Sequence, residues 1–97
     1  MDAVKIRYYE NPETGEPHIY DHGVCEEEVE EILENPGEDF PSRRNSRSII
    51  GQTLDGRYLR VIVVREAAAG SIFVVTAYDL SASQLAAYKR RRRKRKR

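Results

Sequence analysis

RSIIGQTLDGRYLRVIVVR, residues Arg47 to Arg65, is the stretch on which the fold turns. Leu54-Asp55-Gly56 is a tight-turn signal between two runs rich in β-branched residues, so Arg47 to Thr53 and Arg57 to Arg65 read as two strands of a hairpin. Along the second run Leu59, Val61 and Val63 share one face, while Tyr58, Arg60, Ile62 and Val64 share the other. Its far end is apolar on both faces, which predicts a strand with neighbours on both edges. Ala67 to Gly70 reads as a loose turn, and Ile72 to Tyr78 as a further central strand, an almost unbroken β-branched and aromatic run.

Upstream of the hairpin the periodicity changes. Val4 to Tyr9 reads as a short strand closed by Asn11-Pro12-Glu13-Thr14-Gly15. Pro17 suits a first helical position and Gly23 a position just past a helix end, which predicts a helical turn over Pro17 to His22. Cys25, Val29, Ile32 and Leu33 then recur at i, i+4, i+7 and i+8, the stripe of an amphipathic helix whose other faces carry glutamates. Asn35-Pro36-Gly37 ends it. Downstream, Ser81-Ala82-Ser83-Gln84 matches a capping box, with Leu80 and Leu85 placed for a hydrophobic staple, so a last helix begins at Ala82. The expected class is α+β: a small antiparallel sheet of three to four strands with N-terminal helices and a C-terminal helix.

The 97 residues suffice for one domain, which we expect over 1–88. So small a core leaves room for a surface groove but not for a deep substrate tunnel. Net charge is +1, yet the charges are sorted along the chain. Nine of the 17 basic residues fall in 89–97, leaving eight against all 16 acidic ones in the rest. The last helix is expected to run through Tyr88 into this segment, but nine adjacent cations repel one another, so it should fray within a disordered tail. Such a tail attracts nucleic acid in a salt-dependent way. With no apolar face beside it and no run near the ~20 residues of a membrane span, no membrane partner is expected. Cys25 is the single cysteine and has no internal disulfide partner, and the opening Met1-Asp2-Ala3-Val4-Lys5 lacks the layout of a signal peptide. A cytoplasmic location is the expectation.

Three segments together carry a family resemblance. His22-Gly23-Val24 followed by the Glu-rich helix to Leu33, the strand, Gly56-Arg57 turn and strand from Arg47 to Val64, and Ile72 to Tyr78 followed by Ser81 to Tyr88 resemble the BrnT-like ribonuclease toxins. The likeness runs from about His18 to Tyr88. It implies a RelE/barnase-like fold and a cofactor-independent endoribonuclease that cleaves mRNA, the toxin of a type II toxin-antitoxin module restrained by a cognate antitoxin protein. The chain departs from the family pattern where Tyr78 follows Thr76-Ala77 in place of an arginine, where Asp21 replaces a lysine before the histidine, and where Tyr9-Glu10 only echoes the aromatic-acidic opening.

Cleavage by transesterification needs a base for the 2′-hydroxyl, an acid for the leaving oxygen and positive charge at phosphorus. The candidate catalytic residues are His22, Arg47, Arg57 and Tyr78, and the candidate RNA-binding residues are Arg43, Arg44, Arg60, Lys89, Arg90 and Arg91. Each has a plainer reading: His22 as a packing residue of its turn, the strand arginines as partners of the acidic helix, Tyr78 as a rim residue. His18, His22 and Cys25 invite a metal reading through the i, i+4 spacing of the histidines, but Gly23 interrupts the helix and no fourth Cys or His exists, so neither metal nor cofactor is expected. The alternative function is a non-catalytic domain that binds nucleic acid or a protein, its affinity supplied by the basic tail.

Overall fold

The computed structural model describes residues 5–66 and 70–95. Strand β1 (Lys5–Tyr8) leads through a 3-10 turn (His18–His22) to helix α1 (Glu26–Glu34), then to β2 (Glu38–Pro41), a second 3-10 turn (Arg43–Asn45), β3 (Arg47–Gln52), β4 (Tyr58–Arg65), β5 (Ser71–Asp79) and helix α2 (Ala82–Arg95). The α+β class and the β3–β4 hairpin agree with the expectation. The expected Val4 strand start and most of the expected Ala67–Gly70 turn lie outside the described residues.

The sheet differs from the expectation in two ways. It has five strands in the order β1-β5-β4-β3-β2, and it is mixed, because β1 runs parallel to β5 while the other pairs are antiparallel. The fifth strand is β2, whose Glu-Asp-Phe-Pro has little strand propensity; Pro41, which cannot donate to a ladder, is tolerated because β2 is an edge. The parallel pair arises because the 3-10 turn, α1 and three strands all intervene between β1 and β5, so the chain returns beside β1 in the same direction.

Residue alternation sorts the two faces. Ile49, Leu59, Val61, Val63, Val74 and Ala77 join Ile19 of the first turn and Val29 and Ile32 of α1 in one buried cluster. Burying a side chain such as Ile32 or Leu59 contributes roughly 1.5–3 kcal/mol, so this layer supplies most of the hydrophobic stabilisation. Between Ile62 and Val63 the β4–β5 register shifts, and Val75 is skipped. The opposite face, with Phe40, Ile50, Tyr58 and Arg60, is covered by α2, which buries Tyr88 to 5% exposure.

Helix α2 starts as its capping box requires: the Gln84 amide donates to Ser81 Oγ at 3.2 Å and the Ser81 amide to Gln84 Oε1 at 2.8 Å. It runs on past Tyr88 into the basic segment, as expected. The helix continues through the basic run to Arg95 because part of that run is anchored. Arg91 makes two 2.8 Å hydrogen bonds to the carboxylate of Glu38, and Arg92 donates to the Gly37 carbonyl at 2.8 Å. Residues 96–97 of the expected tail lie outside the described residues.

Gly37 lets α2 come this close. A Cβ at that position would overlap the Tyr88 hydroxyl and lie 3.0 Å from the Ile50 carbonyl oxygen. Gly37→Ala is therefore expected to destabilise the protein by about 1–3 kcal/mol through overpacking. Urea denaturation at neutral pH measures it, and an unchanged midpoint would show that Tyr88 can swing aside freely.

Candidate active site at the end of strand β5

The turn that carries His22 is held by its hydrophobic and backbone contacts. Ile19 is 1% exposed, and Gly23 closes the turn at φ 70°, a conformation glycine adopts without strain, with its amide donating to the Tyr20 carbonyl. The His22 ring is thereby set edge-to-face against Tyr78 near the end of β5, with centroids 5.9 Å apart. On its other side it meets His18 at 5.2 Å, and His18 meets Tyr9 at 5.9 Å. Four rings from three segments thus form a ladder along the surface. His18 Nδ1 lies 3.3 Å from Asp21 Oδ2, to which Asn11 also donates.

Arg57 locks this corner together. Its Nε and one terminal nitrogen make a two-point contact with Asp79 at 2.7 and 2.9 Å, and its other terminal nitrogen reaches Glu28 at 2.9 Å and the Gly23 carbonyl at 2.8 Å. The His22 carbonyl accepts at 3.3 Å from the terminal nitrogen that holds Asp79. The Arg57 hydrogen bonds hold the Asp79 carboxyl below its ordinary value, helped by the charges of Arg57 and His22 and opposed by desolvation. The same clasp raises Arg57, whose hydrogen bond to Asp79 is the largest cause. Arg57 thus ties α1, β4, β5 and the His22 turn into one unit.

Three of the four candidate catalytic residues, His22, Arg57 and Tyr78, come together here. Arg47 does not. It sits at the opposite end of the hairpin, paired with Val63, roughly 17 Å of strand away from the Gln52 end beside Arg57. There it donates to Asp39 Oδ1 at 2.6 Å, with Arg65 a further 3.8 Å neighbour of the same carboxylate. Arg43 and Arg44 are exposed in the 3-10 turn between β2 and β3, on Arg47's side of the molecule. Arg60 lies on the α2 face, donating twice to Ser48 Oγ and stacking over Phe40 at 5.7 Å.

The candidate residues in the basic run divide by role. Arg91 is occupied by Glu38, a carboxylate only 7% exposed, whereas Arg90 is exposed and Lys89 lies 5.3 Å over the Tyr58 ring. The two histidines do share a face as their spacing suggests, but they meet ring to ring, and Cys25 caps α1 instead. Among the described residues no group of three His, Cys, Asp or Glu side chains is placed to hold a metal ion. Arg57 pairs with Glu28 as the plainer reading of a strand arginine facing the acidic helix has it, whereas the sequence reading missed Asp79, the other half of the clasp, and gave Tyr9 no place at this corner. Compared with known protein families, curated proteins and solved structures, the chain matches none of them.

Proposed function

We propose that the chain is a BrnT-like toxin, a cofactor-independent endoribonuclease that cleaves mRNA in the cytoplasm and is restrained by a cognate antitoxin protein. One observation carries the reading: His22 and Tyr78, far apart in sequence, present an imidazole and a phenol side by side at a partly exposed corner. His22 takes the proton of a ribose 2′-hydroxyl as that oxygen attacks the adjacent phosphorus. Tyr78 gives its proton to the departing 5′-oxygen, so the products are a 2′,3′-cyclic phosphate and a 5′-hydroxyl. Arg57 acts through His22, by fixing the carbonyl of that residue, and is a positioning residue rather than a phosphate ligand.

A second reading has its own supporting observation. Arg47 and Arg57 both spend their guanidinium groups on carboxylates of the chain, as expected of a domain that binds RNA or a protein without cleaving it. Inducible expression in a bacterial host separates the two. The intact chain is expected to arrest growth and fragment mRNA; a soluble, abundant and harmless protein with mRNA left whole gives the assignment to the binding domain.

A further inference from the structure

The basic run is helical, and helicity sorts its cations. Lys89, Arg92 and Arg93 stand at i, i+3 and i+4, on one side of α2. All three line a groove of about 510 Å³ whose other walls are Asn35, Pro36 and Gly37 after α1 and Gln52 at the end of β3, with Tyr58 and Tyr88 in its lining. Among the described residues no carboxylate lines it, although residues 1–88 carry all 16 acidic side chains. The neighbouring groove on the same face differs, since Glu38 and Asp39 line it beside Arg60 and Arg91. Arg90 and Lys94 belong to neither groove.

Within the carboxylate-free groove, charge and aromatic surface are interleaved. Lys89 Nζ is 5.3 Å from the centroid of the Tyr58 ring, and Tyr88 packs edge-on against Tyr58 at 6.0 Å. Asn35 and Gln52 also line the groove, the Gln52 side-chain amide donating to the Gly56 carbonyl at 3.2 Å. From this arrangement we infer that the groove between α2 and the α1–β2 turn binds single-stranded RNA, with Lys89, Arg92 and Arg93 on successive phosphates and one unstacked base against Tyr58. Single strands offer bases free to stack on an aromatic ring, whereas an A-form duplex keeps them paired inside. A groove of this size fits a nucleotide or two, and a duplex would rest on its rim. The inference deepens the ribonuclease reading by naming how the substrate is held, yet binding at the groove needs neither His22 nor cleavage.

A charge-matched pair of variants tests it. Lys89→Gln with Arg93→Gln removes two cations from the groove, and Arg90→Gln with Lys94→Gln removes two from the helix outside it. Arg92 is left in place because it also holds the Gly37 carbonyl. The probe is a fluorescent 2′-O-methyl oligouridylate, which cannot be cleaved, titrated with the full chain and read by anisotropy. The groove variant is expected to lose about tenfold in affinity near 0.1 M salt and to flatten the salt dependence by about 1.4 in log–log slope, and the outer variant to lose little. Equal losses in both variants overturn the site in favour of diffuse attraction. Equal or tighter binding of a duplex of the same length overturns the single-strand assignment. Tyr58→Leu, with folding checked by circular dichroism, is expected to weaken binding again, and an unchanged affinity removes Tyr58 from the site.

Discussion

His22→Gln is expected to lower RNA cleavage by about 10²–10⁴-fold, the usual worth of a general acid or base, and to abolish growth arrest. Folding should survive. The side chain is exposed, and the group that Arg57 grips is the residue's backbone carbonyl, which glutamine keeps. What disappears is the ring that meets His18 and Tyr78, a loss of about 0.5–1.5 kcal/mol per aromatic pair at most. A thermal melt close to that of the parent chain, with cleavage gone, is the expected pairing of results. Tyr78→Phe sharpens it, because the ring contact stays while the proposed proton donor goes. If His22→Gln leaves cleavage and arrest intact, proton transfer belongs to another residue and the mechanism above is wrong.

The largest expected effect on stability comes from Arg57→Ala. Breaking a buried ion pair from one side commonly costs about 3–5 kcal/mol. Arg57 is 27% exposed and solvent screens part of the interaction, so roughly 2–3 kcal/mol is expected at neutral pH. The loss should depend on pH in a definite sense. Asp79 titrates lower in the folded protein than it ordinarily does, so its contribution is complete above the ordinary carboxyl range and fades as pH falls through the depressed value. The difference between parent and variant should therefore be greatest near neutrality and shrink below about pH 4. Urea titrations at neutral and acid pH measure it. A constant difference across that range would mean that Arg57 stabilises by packing or backbone contact alone.

The elements visible in the sequence are those whose signals are local. The Leu54-Asp55-Gly56 turn, the stripe through Val29 and Ile32, and the Ser81–Gln84 capping box each lie within one or two turns of chain, and each is where the reading placed it. Strand β2 carries no such signal, since Glu38, Asp39 and Pro41 argue against a strand until β3 supplies the pairing. The length of α2 was hidden for a related reason: repulsion among its cations is local, but the Glu38 and Gly37 groups that hold them lie about 53–55 residues earlier. At the candidate site, His22 and Tyr78 were legible as chemistry-bearing side chains. The pairing of Arg57 with the acidic helix was legible as its plainer reading, but its joining of Glu28 and Asp79 into one clasp was not, because these partners are 29 and 22 residues away in opposite directions. Arg47 illustrates the converse, since sharing a hairpin with Arg57 implied nothing about sharing a site.

The parallel pairing of β1 with β5 sets an order on synthesis. Lys5 has no strand partner until Ser71 has been translated, a delay on the order of seconds at roughly 5–20 residues per second. Throughout that interval the nascent chain can assemble α1 and the β2–β3–β4 meander, but the β5 residues that carry Tyr78 do not yet exist to meet His22. A protein harmful to mRNA would on this topology be harmless until β5 has been translated, because its reactive corner closes only then.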